Sequence, residues 1–407
     1  MKNKAEYCLN CINKPCTKEC PLNNDIPSFI QAIKNDELKI AYDILSKTTC
    51  LSSICGRICP HNKQCQSLCT RKYKGEPVEI GELEAYIGDL AIKNNWYPNV
   101  KQNNNKKIAI IGSGPSSLTC AYFLIKDGFN VTIYEKYDEL GGILNHSIPS
   151  FRLDKKILKE TIDRITEKCT INTNMELGKD FKIKDIINEY DAIYLGIGSN
   201  ISNKLNIPGE DLKNVIGGNE LLEHKPNYDF NNKVVIINGG GNVAMDVARE
   251  IIRKKPKKVI VLYRRSEKEM PAEIKEISEA KKEGIEFVFQ TNILNINGID
   301  KVENIEVIKT ELIEEKGTRP IPVNIEGTNF TIKCDYLIKA IGSKPDIELL
   351  NKLNIEIANN KIVVDENYKT SNNKIYAGGD LTNKNCTVAF AAQSGKKAAY
   401  SIIKELS

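Results

Sequence analysis

The sequence predicts an α/β chain: two Rossmann-like nucleotide-binding domains, the second inserted in the first, preceded by an α-helical cysteine-rich domain. Three observations predict it. Two apolar strands each run straight into a glycine turn and a helix, near residues 107–118 and 233–244. Strand-and-turn segments resume close to the C terminus, after the second of these units. Nine of the 13 cysteines lie before residue 70.

Ile108 to Ile111 is a short β-branched run, as expected of a strand buried on both faces. Gly112-x-Gly114 follows at once, and residues 118–126 read as a helix. Strand, glycine turn and helix form a dinucleotide fingerprint. Gly112 permits the tight turn and Gly114 lets backbone approach a pyrophosphate. The helix start offers free N–H groups and the positive dipole end to that anion. The third fingerprint position is Ser117 rather than Gly or Ala; it is still small enough for close helix–strand packing. A second strand, residues 130–134, ends on Glu135, where a carboxylate can take ribose hydroxyls.

The net charge of +5 is small for 407 residues, and lysines alternate with glutamates. No basic block points to nucleic acid. At 41% hydrophobic the chain can bury real cores. The charged start Met1-Lys-Asn-Lys4 is followed by no apolar signal region. No run approaches the ~18 apolar residues that span a bilayer. A soluble, cytoplasmic protein is expected.

Clustered cysteines in a reducing compartment mean metal or redox chemistry rather than staples. Cys8-x2-Cys11-x4-Cys16-x3-Cys20-Pro21 opens the chain, and Cys55-x3-Cys59-Pro60-x5-Cys65-x3-Cys69 follows a helical stretch over residues 26–33 and 38–45. A Cys-Pro closing a tight run resembles ferredoxin-type cluster loops. Structural zinc is the rival, although these are too many ligands for one site and the spacing is unlike a finger or ribbon.

The polar stretch 101–107 marks a boundary. Domains are therefore expected at 1–104 (clusters), 105–230 with 335–407 (first nucleotide), and 231–334 (second nucleotide). In the second unit the motif is Gly239-x-Gly241-x-x-Ala244, and the next strand ends on Arg264-Arg265 instead of an acid. A guanidinium grips phosphate bidentately, which suits the 2′-phosphate of NADP; the alternative is a plain surface pair. The distance between the two units is far too long for a solenoid repeat. Residues 334–342 and 373–380 each read as a strand into a turn, returning to the first domain. Asp380, after Gly379, can bind a ribityl or ribose hydroxyl. The terminal helix, 387–403, begins at Thr387 and Val388, where its dipole could steady charge on a flavin ring.

Taken together, these residues resemble the glutamate synthase small (β) subunit family. Its relatives include the electron-input half of dihydropyrimidine dehydrogenase and the large subunit of ferredoxin-dependent transhydrogenase. The resemblance rests on the cysteine region, Gly112-Ser-Gly-Pro115, Gly141-Gly142, Ile148-Pro149, Gly240-Gly-Asn-Val-Ala-Met-Asp246, Tyr263-Arg-Arg-Ser266, Glu269-Met-Pro-Ala272 and Ala377-Gly-Gly-Asp380, in order along the whole chain. It implies FAD in the first domain, NADPH in the second and two [4Fe-4S] clusters at the N terminus. It implies Cys8, Cys11, Cys16 and Cys69 around one cluster. Cys20, Cys59 and Cys65, with Glu84 in the place of the relatives' non-cysteine ligand, would hold the other. Cys50 and Cys55 are left over. The implied cofactor positions are Gly112, Gly114, Pro115, Ser116, Glu135, Gly141, Gly142 and Arg152; then Gly239, Gly241, Asn242, Val243, Ala244, Arg264 and Arg265; then Gly342, Gly379, Asp380, Thr387 and Val388.

The resemblance further implies an NADPH-dependent flavoprotein oxidoreductase. It would relay single electrons to a catalytic partner subunit, or to ferredoxin. Hydride transfer needs positioning more than acid–base groups, so no catalytic acid or base is assigned. His61, His146 and His224 are expected to be structural or exposed. Disulfide reductases share the two-nucleotide fold but need a paired Cys-x-x-Cys near the flavin, which Cys120, Cys169, Cys334 and Cys386 do not supply. Intact motifs in both nucleotide units argue against a non-enzymatic scaffold.

Overall fold

The computed structural model describes residues 1–407 except 225, 226, 316 and 318. The chain divides into two compact units: Met1–Ser199 with Pro345–Ser407, and Asn200–Lys344.

The first unit is built on a five-stranded parallel sheet. Its strand order is Ile375–Ala377, Ala192–Leu195, Lys107–Ile111, Asn130–Tyr134, Thr170–Asn172. The fingerprint strand is central, so both its faces are buried, as its unbroken apolar run requires. Ile108 and Ile110 pack with Cys120, Leu124 and Tyr194, and with Ala398 and Ile402 of the terminal helix Val388–Leu406. Ala109 and Ile111 face the opposite core with Phe181, Ile193 and Leu350.

The cysteine region is helical, including Ile26–Lys34, Leu38–Leu45, Ser52–Ile58 and Ile80–Lys93. It is not set apart at residue 104. Leu22, Leu51, Ile54 and Ile58 share one core with Leu118, Leu158, Ile162 and Val388. The polar stretch is held to the C-terminal end of the fingerprint helix Pro115–Lys126 and the turn after it, with Lys101 N donating to Lys126 O (3.0 Å) and Asn104 N to Gly128 O (3.0 Å). Gly128 has φ +89°, and a Cβ there would meet Gln102 O at 2.2 Å, so the linker is pressed against a turn that needs glycine. Hydrophilic composition marked a surface path here, not a hinge.

The second unit repeats the plan. Its parallel sheet has the order Val215–Gly217, Tyr336–Lys339, Val234–Asn238, Lys258–Tyr263, Glu286–Phe289. This moves two expected boundaries. Residues 334–342 were expected to return to the first domain, but Tyr336–Lys339 pairs with Val234–Asn238 on one side and Val215–Gly217 on the other. The unit therefore runs over Asn200–Lys344 and not 231–334. A second, antiparallel sheet, comprising Thr291–Asn297, Asn304–Ile313, Ile321–Asn324 and Phe330–Lys333, packs Ile293, Ile305 and Val307 against Ile236, Ile260 and Leu337. Among the described residues no helix is long and apolar enough to cross a membrane.

Candidate functional site

The cysteines separate into two groups in space. Cys8, Cys11, Cys16 and Cys69 line one pocket, open to solvent and walled by Leu9, Ile26, Ile30, Val78 and Ile80. Val78 N lies 3.5 Å from Cys69 Sγ and Thr70 Oγ1 lies 3.3 Å from Cys11 Sγ. Burial pushes the Cys16 thiol up to about 11, with Cys8 and Cys69 adding to the rise. The second group is Cys20, Cys59, Cys65 and Glu84. Burial, then Glu84 and Cys59, push the Cys20 thiol up to about 12. Cys65 is raised by burial and then by Cys20, Glu84 and Cys59.

Glu84 stands where helix Ile80–Lys93 turns its buried stripe of Ile80, Leu83, Ile87 and Ala91 inward. Burial raises its carboxyl to about 8. Asn24 Nδ2 donates to Glu84 Oε1 at 3.2 Å, and Thr48 Oγ1 to Asn24 Oδ1 at 2.7 Å. A carboxylate and several thiols gathered in one buried place are costly together unless a cation neutralises them. Iron in a sulfide-bridged core is such a cation, and thiolates are its usual ligands. Four thiols around a cavity suit a body several atoms across. The donor sets thus fit clusters.

Cys55 was left outside both sets, yet the structure brings it to the second group: the bond to Cys59, four residues on, then burial, then Glu84 and Cys20 push its thiol up. Cys50 is apart from both groups, 3.8 Å from Thr119 Oγ1. The His61 ring packs on Gly81, where a Cβ would meet its Nε2 at 2.5 Å. His146 leans on Tyr137, ring centroids 4.2 Å apart.

At the first glycine turn, Gly112 has φ +88°, and a Cβ would meet Gly196 O at 2.7 Å. Gly114 caps helix Pro115–Lys126, with Pro115 in its first turn, and a Cβ on Gly114 would meet nothing within 4 Å. That open space over free helix N–H groups is where a pyrophosphate would lie. Gly142, at φ +51°, approaches Gly114 so closely that a Cβ would stand 2.9 Å from its Cα. Glu135 is buried, accepting from Ser113 Oγ at 2.5 Å and Tyr137 N at 3.0 Å. Ser113 Oγ also accepts from Gly141 N at 2.9 Å, tying the two predicted positions Glu135 and Gly141 together. Ser113 escaped the sequence reading because the fingerprint leaves that position open.

Ser116 bonds the Tyr194 hydroxyl, and Ser394 Oγ at 3.0 Å. Ser394 Oγ lies 2.7 Å from Gly379 N, which donates to it. The Gly379–Asp380 turn and helix Pro115–Lys126 are thereby joined. Burial raises the Asp380 carboxyl, while Lys361 opposes the rise. Thr387 caps the terminal helix, accepting from Phe390 N, with Val388 as its first residue. Arg152 is half-buried in the turn after Pro149.

In the second unit, Gly239 has φ +149° and faces Ala340 O at 2.2 Å from a built Cβ. Gly241 caps helix Asn242–Ile252, which carries Val243 and Ala244 in its first turn, and among the described residues only Pro271 Cγ, at 3.8 Å, approaches a Cβ placed on it. Asn242 Oδ1 accepts from Glu273 N at 2.9 Å. Arg264 is exposed, whereas Arg265 Nε donates to Pro320 O at 2.7 Å. Arg319, unremarkable in a polar loop of the sequence, donates from Nη2 to the Tyr263 hydroxyl (2.9 Å) and to Glu269 O. Gly342, at φ +98°, lies in this unit and not the first.

Residues 106–395 match the family described as pyridine nucleotide-disulphide oxidoreductase, and residues 1–96 match dihydropyrimidine dehydrogenase domain II, 4Fe-4S cluster. The glutamate synthase [NADPH] small chain of Escherichia coli (strain K12) is 32% identical over 100% of this chain and 91% of its own. That of Azospirillum brasilense is 29% identical over 98% and 88%. The NADP(+)-dependent formate dehydrogenase subunit beta of Moorella thermoacetica is 33% identical over 96% of this chain and 60% of its own. Among solved structures, Mycobacterium tuberculosis FprA in complex with NADPH has a TM-score of 0.65 at 18% identity, covering 74% of this chain and 85% of that one.

The two nucleotide units and the paired cysteine groups define a flavin- and pyridine-nucleotide-dependent oxidoreductase carrying 4Fe-4S clusters. Within that class, the chain belongs to the glutamate synthase small-chain family.

Proposed function

We propose that this chain draws reducing equivalents from NADPH, holds FAD in its first unit, and delivers single electrons through two four-iron clusters to a glutamate synthase large-subunit-like partner. The observation that carries the reading is the gathering of the N-terminal cysteines into two groups, one of them around Glu84, in the same unit as the first glycine turn. FAD held there would supply the hydride acceptor, and the cysteine groups' clusters would supply one-electron carriers.

The protein's own residues bind and orient. Gly112 and Gly114 admit the FAD pyrophosphate, Glu135 takes a ribose and Asp380 a ribityl hydroxyl. In the second unit, Gly239 and Gly241 admit the NADPH pyrophosphate. Arg264 and Arg265 favour its 2′-phosphate, with Arg319 bracing the adjoining loop. Cys8, Cys11, Cys16 and Cys69 would hold one cluster; Cys20, Cys59, Cys65 and Glu84 the other.

Two hydrogen bonds tie the second group to the terminal helix Val388–Leu406 and its cap. Gln64 Nε2, next to Cys65, donates to Thr387 Oγ1 at 3.3 Å, and Gln393 Nε2 donates to Pro21 O, next to Cys20, at 2.5 Å. The first group instead opens to solvent beside exposed apolar side chains. Ile12 is 96% and Tyr73 87% exposed, with Leu9 and Leu68 also on the surface. Such a surface suits a docked partner at the outlet.

The test is reconstitution. Alone, the chain should reduce artificial dyes with NADPH and make no glutamate; with its partner, glutamate synthesis should appear. Turnover of a physiological carbon substrate by the isolated chain contradicts the reading.

A further inference from the structure

Lys396 is a buried cation with no carboxylate partner among the described residues. It lies on the inner face of helix Val388–Leu406 between Ser394, Gly395 and Ala398, all buried. Its ammonium donates to Leu22 O at 2.6 Å, two residues beyond Cys20. Burial disfavours its charge, and the nearby acidic groups that oppose this are Cys20 and then Cys50. Neither the nucleotide turns nor the ligand sets use it.

A buried ammonium of this kind is costly unless an anion faces it. Helix interiors accept leucine or methionine at such a position without that cost. The Leu22 carbonyl satisfies one donor and supplies no charge. The anion that would stand beside Cys20 is a cluster held by three thiolates and a carboxylate.

We propose that Lys396 is the electrostatic partner of the second cluster and raises its reduction potential. The inference rests on the reading that Cys20, Cys59, Cys65 and Glu84 hold that cluster. A cluster gains one negative charge on reduction, so a fixed neighbouring cation stabilises the reduced form more than the oxidised one. Cluster potentials respond to local charge and hydrogen bonding in this way. Lys396 is a positioning and tuning residue; it ligates nothing.

The test is an EPR-monitored redox titration of the anaerobically purified full chain, with flavin and iron content measured on each sample. Lys396→Met removes the charge at similar length, Lys396→Gln is a second neutral side chain, and Lys396→Arg keeps the charge. The neutral variants should favour the oxidised second cluster by about tenfold, a shift of ~59 mV to lower potential for a one-electron couple. Lys396→Arg should stay near wild type, and the first cluster and the flavin should not move. Loss of the second cluster in both neutral variants with retention in Lys396→Arg also supports a required charge.

An unchanged midpoint in Lys396→Met, an equal shift or loss in Lys396→Arg, or a shift confined to the flavin overturns the inference. Cys50→Ala should leave the midpoint alone; a shift matching that of Lys396→Met would assign the lysine to the Cys50 thiol instead. Wild-type protein lacking the second cluster would overturn the ligand reading itself, and iron content tells that failure from the others.

Discussion

Ser117 Oγ fills the space that a side chain at Gly196 would need: a Cβ on Gly196 would stand 2.1 Å from it. The third fingerprint position, commonly glycine so that helix and strand can close, here carries a hydroxyl. The room comes from the facing residue, just past strand Ala192–Leu195.

Gly196→Ala should therefore destabilise the first unit by about 1–3 kcal/mol, the usual cost of overpacking a filled core. Thermal denaturation would show a lower melting temperature. The hydroxyl itself is buried with no hydrogen-bond partner among the described residues, so Ser117→Ala should be nearly neutral. Combining the two changes should recover most of the loss. Additive losses in the double variant would contradict the contact.

Glu135→Gln should weaken FAD retention. It exchanges a carboxylate fixed by Ser113 and Tyr137 for an amide and loses charge-assisted bonding to ribose. A loss of roughly 1.5–3 kcal/mol corresponds to about ten- to a hundredfold in affinity. Flavin release on gel filtration and fluorescence titration would measure it. Unchanged affinity would remove Glu135 from the site.

Arg264→Gln should raise the Michaelis constant for NADPH by roughly ten- to a hundredfold and leave that for NADH unchanged. The Arg265 change should hurt less specifically, because its Nε holds Pro320 O. Steady-state dye reduction with both nucleotides checks this. A wild-type preference for NADH would defeat the assignment.

Much of this architecture was legible because buried parallel strands read as unbroken apolar runs and glycine turns follow them. Glu84 was legible only through resemblance; within the helix pattern it is merely a polar residue in an apolar stripe. The two boundary errors of the second unit have one cause. Val215–Gly217 is too short to show periodicity, and parallel pairing joins residues far apart in sequence, so nothing local tells which sheet Tyr336–Lys339 completes. The stretch 101–107 was read from polarity alone, although its backbone is hydrogen-bonded to the fingerprint helix and the turn that follows it. Arg319 and Lys396 were invisible because single basic residues in a loop and a helix carry no pattern.

Glu84→Ala should cost one cluster and spare the other. Iron should fall from about eight to about four atoms per chain, two four-iron clusters becoming one. EPR of the reduced protein would lose one signal. Full iron content with an unchanged spectrum would exclude Glu84 as a ligand.

The most direct measurement is anaerobic reduction of the purified chain by NADPH, followed by visible absorbance and low-temperature EPR alongside iron, acid-labile sulfide and zinc analysis. The account predicts bleaching of a flavin spectrum, about eight iron with matching sulfide, and reduced-cluster signals whose integrity depends on both cysteine groups. Bound zinc without sulfide, or a flavin that NADPH leaves oxidised, would contradict it.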